Sequence, residues 1–173
     1  FQIAITASTT VNAIQVGGYE PCTVTDFDVP KKYGLRQTIA DTLGIGGIFR
    51  GLRTIPVVLE FARDMQEVCP HALFLNYVNP MAMNMMAILK GSRVRSVGLC
   101  HGIQYTTAKL AKWIGVPYNE ITYKVAGINH LAWILEFKRG DEHLYPRIHA
   151  AAELPENRSE PWENCYDMTE LEA

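Results

Sequence analysis

The chain of 173 residues carries 16 basic and 18 acidic side chains, and 48 % of its residues are hydrophobic. This length and composition suit one globular domain or a little more. A net charge of −2 argues against a nucleic-acid partner, because no basic surplus is available to neutralise phosphates. No apolar run reaches the roughly 18 residues that a membrane-spanning helix needs, so we expect no membrane partner.

The ends of the chain and its cysteines indicate a piece of a cytoplasmic protein. The first residues, Phe1-Gln2-Ile3, lack an initiator methionine and the basic region of a signal peptide, so we expect a fragment or a processed chain. The cysteines form no CxxC pair, and they are less frequent along the chain than in a small secreted disulfide-rich domain. We therefore expect reduced thiols at all four positions, Cys22, Cys69, Cys100 and Cys165.

The first part of the chain is predicted to alternate strand and helix. The β-branched stretch 10–16 predicts a buried strand, and 21–33 predicts a helix. Residues 41–47 predict a glycine-rich loop. Apolar residues at helical spacing predict a helix over 48–68, and we expect Pro56 to kink or break it because proline lacks an amide hydrogen.

The alternation continues and then changes. In chain order we predict a strand over 72–77, a helix to about 89, a strand over 94–99, a helix over 103–114, and two strands over 122–126 and 131–137. Strand alternating with helix predicts an α/β architecture with a parallel sheet. The last two strands break this rhythm and predict the start of a second region with a more antiparallel sheet.

Polar residues follow the predicted strands, where open parallel sheets bind their ligands. Cys100 and His101 end one strand, and His130 stands beside another, so a thiolate and an imidazole could hold a divalent ion. The ordinary alternative is a buried thiol next to a hydrogen-bonded histidine. The amides of Asn76 and Asn79 could bond a ribose or sugar hydroxyl, or Asn79 could simply form a turn before a proline. The residues alone leave these alternatives open.

Five collinear segments carry a resemblance to a known family. They are Ile14–Pro21, Asp41–Gly47, Leu75–Ala82, Gly98–His101 and Ala126–His130, and the match covers roughly residues 10–148. With these motifs the chain resembles the family 4 glycoside hydrolases, the NAD- and manganese-dependent glycosidases. His101 after the cysteine, and Gln15 where phospho-glycosidase members often carry arginine, resemble the α-galactosidase branch.

The resemblance implies an α/β fold with a partial Rossmann-like parallel sheet, similar to that of lactate and malate dehydrogenases. Residues 1–115 would be the C-terminal part of the nucleotide-binding domain, and 116–152 the start of an α+β substrate domain. The polar stretch 153–173 is expected to be a poorly ordered tail. Members of the family are commonly homo-oligomers, so the resemblance implies that the intact protein is a homo-oligomer too.

The resemblance also implies a small-molecule sugar substrate, NAD and Mn²⁺ as cofactors, and roles for eight residues. It implies metal ligands at Cys100 and His130, substrate contacts at Asn79 and Asn129, catalytic roles for His101 and Asn129, and cofactor contacts at Ala13, Gln15 and Asn76. The implied reaction on an α-galactoside oxidises the sugar at C3 with NAD⁺. It then removes the C2 proton beside the metal, eliminates the C1 substituent, adds water and returns the hydride.

Two parts of the family pattern are absent from the printed sequence. The glycine-rich nucleotide fingerprint would lie upstream, and the catalytic base would lie downstream of His130. We therefore expect the chain alone to be poorly active. Two alternatives stay open at this point, a NAD-linked hydroxy-acid dehydrogenase and an inactive remnant. Cys100 separates the first of them from a glycosidase, because such dehydrogenases use no metal cysteine.

Overall fold

The computed structural model describes residues 8–37 and 42–158, and these form two compact units that divide between Leu99 and Cys100. The predicted segment limits at 115 and 152 stay a prediction. Within the described ranges, no helix combines the length and the apolar character that spanning a membrane would require.

The first unit is built on a three-stranded parallel sheet. Its elements are β1 (Thr9–Asn12), a short π-helical segment (Gly18–Thr23), α1 (Val24–Lys32), α2 (Gly44–Val68), β2 (Leu73–Asn76), α3 (Met81–Gly91) and β3 (Arg95–Gly98). The strand order is β1-β2-β3, and both pairings are parallel. Parallel neighbours need crossover connections, which α2 and α3 supply. The predicted α/β class with a partial Rossmann-like sheet is confirmed.

Apolar residues of α2, α3 and the central strand form the core of this unit. Phe74 of β2 and Ile88 of α3 are almost completely buried. They pack with Val58, Ala62, Met65, Ala72, Met85 and Val94. The spacing of Val58, Ala62 and Met65 places all three on one face of α2. The helix therefore buries this face and exposes the opposite face to solvent.

Two local expectations differ from the structure in this unit. The predicted glycine-rich loop over 41–47 gives way to helix at Gly44, and a Cβ at Gly47 would stand 2.5 Å from the backbone of Thr42. Gly47 therefore permits a close approach of the helix to the backbone of Thr42. The second difference is that α2 runs unbroken through Pro56. Pro56 is exposed, as is Leu52 one turn before it, so water can reach the carbonyl that proline leaves without a partner.

The second unit carries an antiparallel sheet, as the break in the alternation predicts. Its elements are α4 (Gly102–Trp113), a 3₁₀ turn (Tyr118–Glu120), β4 (Ile121–Ile128), β5 (Leu131–Arg139), β6 (Glu142–His143), α5 (Tyr145–Ala152) and α6 (Pro155–Arg158). The strand order is β4-β5-β6. The register of β4 against β5 shifts between Lys124 and Val125, which leaves Leu135 as a bulge residue.

The bulge changes which side chains of β5 face the core. Ile134 and Phe137 both contact the second core although they are three positions apart, because the extra residue inverts the alternation. Phe137 and Leu144 are completely buried there. The sequence did not predict α5, and α6 lies in the stretch that was expected to be poorly ordered. The remainder of that stretch, 159–173, falls outside the described residues.

Candidate active site

A cysteine and a histidine that are far apart in sequence meet in the second unit. The Sγ atom of Cys100 lies 3.6 Å from Nε2 of His130, and both side chains are half-buried. Cys100 directly precedes the N-cap of α4, and His130 lies in the turn between β4 and β5. The structure thus brings together the two residues that the resemblance implies as metal ligands.

The cysteine sulfur lies at the start of α4. The backbone amide of Gly102, the first residue of the helix, donates a hydrogen bond to Sγ of Cys100 at 3.3 Å. The first amides of a helix have no partner within the helix, and the helix dipole adds a partial positive charge there. The sulfur of Cys100 therefore accepts a hydrogen bond from one of these otherwise unpaired amides, and the deprotonated form of a cysteine is the one that binds metals.

The turn that carries His130 consists of two residues. Ile128 pairs with Leu131, so Asn129 and His130 alone connect β4 to β5. Two-residue hairpin turns prefer residues with positive φ, yet neither of these residues has one. Gly127 has a φ of 139°, and a Cβ there would lie 2.4 Å from the carbonyl oxygen of Leu131. Only glycine fits at this position, so Gly127 lets the hairpin turn at His130.

Asn129 and His101 border the Cys100–His130 pair in sequence. The Oδ1 atom of Asn129 is buried and accepts no hydrogen bond from the residues that the structure describes. A buried acceptor without a donor is costly, and such groups are frequent where a ligand or ion belongs. His101 is the exposed N-cap residue of α4.

The donor atoms of this pair fit a divalent metal ion. An ion at about 2.3 Å from sulfur and about 2.1 Å from nitrogen separates those two atoms by roughly 3.1–3.6 Å at bond angles of about 90–110°. The observed 3.6 Å lies at the upper end of that span. Among the residues with described positions, no group of three or more His, Cys, Asp or Glu side chains is arranged to hold a metal. Two protein ligands leave positions open for a substrate, as a catalytic metal requires.

The two strand-end asparagines differ in how far they are exposed. Asn76 ends β2 with no exposed surface, its Oδ1 accepts from Nδ2 of Asn12 at 2.9 Å, and its Nδ2 donates to the Val78 carbonyl at 3.1 Å. Asn84 also donates to that carbonyl, at 3.0 Å. These bonds hold the β2–α3 connection in place. Asn79, by contrast, is half-buried and is joined to Pro80 by a cis peptide bond.

The residues assigned to the cofactor from the β1 end lie on the surface of the first unit. Ala13 directly follows β1 and is exposed, as is Gln15. The Nε2 atom of Gln15 donates to Oγ1 of Thr23 at 3.5 Å, and that hydroxyl donates to the carbonyl of Gly18 at 3.3 Å. The sequence predicts a longer strand over 10–16, whereas β1 ends at Asn12, so residues 13–16 lie outside the strand.

Two arginines of α2 bond to helical segments that follow β1, and the sequence reasoning missed both. Arg50 donates from Nη1 to Oγ1 of Thr23 and from Nε to the carbonyl of Asn79, each at 3.4 Å. Arg53 forms a bidentate ion pair with Asp26, which is 2 % exposed, and hydrogen bonding to this carboxylate raises the pKa of Arg53. The sequence did hold a signal for them, because both arginines stand in an otherwise apolar segment of the predicted helix.

Models of two domains of one protein family match the chain. The family 4 glycosyl hydrolase model matches residues 3–116, and the model of the C-terminal domain of that family matches residues 125–172. This chain belongs to glycosyl hydrolase family 4. The assignment favours a glycosidase over a hydroxy-acid dehydrogenase.

Curated relatives agree with the assignment. The chain is 57 % identical over 138 residues to an α-galactosidase of Bacillus subtilis (strain 168), covering 80 % of this chain and 32 % of the relative. It is 40 % identical over 118 residues to an α-galacturonidase of Thermoanaerobacter italicus (strain DSM 9252 / Ab9), covering 64 % of this chain and 26 % of the relative. The chain therefore spans about a third or less of the length of these proteins.

Solved structures share the fold. A putative glucosidase, lplD, from Bacillus subtilis superposes with a TM-score of 0.77 at 30 % identity, covering 84 % of this chain and 35 % of the other. A 6-phospho-α-glucosidase from gut microorganisms, solved in complex with NAD and Mn²⁺, superposes with a TM-score of 0.76 at 23 % identity, covering 84 % of this chain and 33 % of the other.

Proposed function

We propose that this chain is part of a glycoside hydrolase that acts on α-galactosides with NAD and a divalent metal, and that Cys100 and His130 are the metal ligands. The observation that carries the proposal is the 3.6 Å contact between Sγ of Cys100 and Nε2 of His130. The relative with 57 % identity is an α-galactosidase, which supports the substrate class. A family 4 structure with bound NAD and Mn²⁺ supports the cofactors.

Each residue of the proposed site has a defined task. When bound, the metal supplies Lewis acidity at a sugar oxygen, and the nicotinamide accepts and later returns a hydride. The Gly102 amide donates to the sulfur of Cys100 and fixes its position, and the two-residue turn after Gly127 holds the imidazole of His130 towards that sulfur. The buried Oδ1 of Asn129 can accept a hydrogen bond from a sugar hydroxyl.

The other residues that the resemblance assigns to substrate, catalysis or cofactor differ in how exposed their side chains are. Asn79 is half-buried in the connection between β2 and α3, and its amide could contact the substrate. His101 is exposed beside the metal ligands in sequence, and its catalytic role stays a prediction. Ala13 and Gln15 are exposed and could contact a cofactor. The proposed cofactor contact of Asn76 has the least support, because its amide is buried and bonded within the fold.

Titration with Co²⁺ tests whether Cys100 and His130 bind a metal. Co²⁺ bound to a thiolate absorbs in the near ultraviolet, so titration with Co²⁺ reports metal bound at the cysteine. We expect this absorption in the wild-type chain and its loss in Cys100→Ser, while His130→Ala weakens Co²⁺ binding at least tenfold. Cys69→Ser is the matched control and should behave as wild type, because Cys69 packs against the first core.

Release of nitrophenol from p-nitrophenyl α-galactoside, with NAD⁺, Mn²⁺ and a thiol reductant, measures the reaction itself. Turnover that disappears with a chelator and in Cys100→Ser would establish metal-dependent cleavage in this chain. A folded chain in which Cys100→Ser leaves Co²⁺ binding unchanged would refute the metal assignment. A chain that binds Co²⁺ through Cys100 but never turns over would retain the metal site and fit the inactive remnant.

A further inference from the structure

One face of the β4–β5 hairpin is apolar and exposed to solvent. The side chains of Ile128, Leu131, Trp133 and Leu135 are each between 50 and 60 % exposed. Ile128 pairs directly with Leu131, and Trp133 pairs directly with Ala126, so neighbouring side chains on this face are within contact distance. We refer to these five residues as the hairpin patch. Single exposed apolar residues are ordinary, but a contiguous group of them marks an interaction surface.

The β-bulge in β5 adds one large side chain to this face. Ile134 and Phe137 both contact the second core, so the two residues between them, Leu135 and Glu136, lie on the opposite, outer face. Without the extra residue, regular alternation from Phe137 would turn Leu135 towards the core. Leu135 is instead 59 % exposed. The bulge therefore enlarges the hairpin patch.

The charged side chains of the outer face lie beyond the hairpin patch and are paired within the chain. Residues 125–135 include no lysine, arginine, aspartate or glutamate. Next to this stretch, Glu136 accepts a hydrogen bond from Lys124 at 2.6 Å and forms an ion pair with Lys138 at 2.8 Å. A docking partner therefore meets an uncharged surface whose bordering charges already have partners. A second copy of the same apolar surface matches both properties.

We propose that the hairpin patch is a self-association surface, on which a second copy of this chain docks about a two-fold axis close to Trp133. Trp133 stands in the middle of the patch, between the Ile128–Leu131 pair and Leu135. In a two-fold contact the same residues of both copies face each other, and tryptophan is favoured at the centre of interfaces.

The exposed area of the patch suits a dimer. A standard interface takes about 800 Å² from each partner, and somewhat more than half of that area is apolar. The four large side chains together expose on the order of 400 Å², which approaches this apolar share. The inference goes beyond the proposed function, because neither metal binding nor glycoside cleavage enters it.

Sedimentation velocity of the full chain at increasing concentration, with a thiol reductant to prevent disulfide cross-links, tests the inference. We expect a dimer at about 50 μM that dissociates on dilution. Leu135→Glu buries a charge in the contact and should weaken the dimer about tenfold or more. Leu89→Glu is the matched control, because Leu89 is 62 % exposed on α3, outside the patch, and it should leave the dimer unchanged. Circular dichroism and the urea midpoint verify that each variant is folded.

Two charge variants at the centre of the patch test the two-fold symmetry. Trp133→Glu and Trp133→Lys should each be monomeric alone, because like charges meet across the axis. An equimolar mixture of the two should form a heterodimer, because opposite charges then face each other. Recovery of the dimer in the mixture would also show that both variants retain the fold of the hairpin.

Several results would overturn the inference. A wild-type chain that stays monomeric up to about 200 μM has no such surface. Equal weakening by Leu89→Glu and Leu135→Glu would mean that association uses another part of the chain. Assemblies that grow beyond the dimer would contradict the two-fold axis, because a contact between different surfaces that does not close builds open chains. A mixture of the two Trp133 variants that remains monomeric would contradict it as well.

Discussion

Asn76 ends β2 with its amide fully buried, and both ends of that amide bond to other residues of the first unit. An asparagine side chain can bind a ribose hydroxyl, but that of Asn76 joins β1, β2 and the connection to α3. The same residue type at Asn129 has a buried oxygen that accepts no hydrogen bond from the described residues. Asn129 is the better candidate for ligand binding, because hydrogen bonds inside the fold compete with those to a ligand.

Replacing Asn76 by alanine should reduce stability. The change leaves the buried amide of Asn12 without its acceptor, and an unsatisfied buried group costs about 1–3 kcal/mol. Urea denaturation measures the loss. Asn119→Ala, at an exposed position, is the control and should change the midpoint little. An unchanged midpoint in Asn76→Ala, combined with weaker NAD⁺ binding, would contradict the structural role and favour the cofactor contact.

Glu136 of β5 should titrate far below an ordinary glutamate. Hydrogen bonds from Lys124 and Lys138 lower its pKa to about 2. A lowered folded pKa means that the carboxylate favours folding above the unfolded pKa, near 4.5, and that this contribution is lost as the pH falls towards 2. NMR titration of the side-chain carboxyl measures the shift. Lys124→Ala should raise the pKa towards its ordinary value, and an unchanged value would show that Lys124 is not the cause.

The β4–β5 hairpin is the element that carries His130, and its geometry depends on one glycine. Gly127 pairs with Ala132, and a Cβ at Gly127 would come 2.5 Å from the Cα of that residue. The strands could accommodate a side chain only by separating at the end that carries the turn. The positions of Asn129 and His130 are therefore properties of the hairpin as well as of these residues.

Gly127→Ala should displace His130 and weaken metal binding. Overpacking and the unfavourable φ together cost roughly 3 kcal/mol or more. Co²⁺ absorption and urea denaturation measure the two effects. Gly140→Ala is the matched control, because Gly140 also has a positive φ but a Cβ there meets open space. It should cost only about 1–2 kcal/mol and leave Co²⁺ binding intact. Equal loss of binding in both variants would contradict the special role of Gly127.

The whole molecule consists of two units with separate cores, one around Phe74 and one around Phe137. Both members of the Cys100–His130 pair belong to the second unit. The geometry of the pair should therefore depend on the second core and only indirectly on the first. The hydrogen bonds that Arg50 makes to Thr23 and Asn79, by contrast, join residues of the first unit.

Equivalent core changes should have different effects on metal binding. We expect Phe74→Leu and Phe137→Leu each to lower the free energy of unfolding by about 1–2 kcal/mol. Only Phe137→Leu should weaken Co²⁺ binding when both variants are fully folded, because it loosens the packing beneath the hairpin. Urea denaturation and Co²⁺ titration give the two quantities. Equal weakening by Phe74→Leu would mean that the units are energetically coupled.

The type and order of most elements were predictable, because they follow from local periodicity. The alternation of strand and helix predicts the parallel sheet, and its interruption predicts the antiparallel one, as observed. The failures were also local. Pro56 was expected to kink or break α2, and the helix is not broken there, because an exposed carbonyl can bond to water and exposure at a given turn depends on how the helix packs. The bulge at Leu135 depends on pairing with a second strand, which the periodicity of one strand does not report.

The sequence by itself determined the fold class, the family and the residue types of the candidate site, because motifs and their order are written along the chain. Only the tertiary structure decided which of these side chains are available. It brought Cys100 and His130 together across 30 positions, gave Asn76 partners inside the fold and brought Arg50 to the helical segment that follows β1. Burial and long-range hydrogen bonds arise from the packing of distant segments, and no local pattern encodes them.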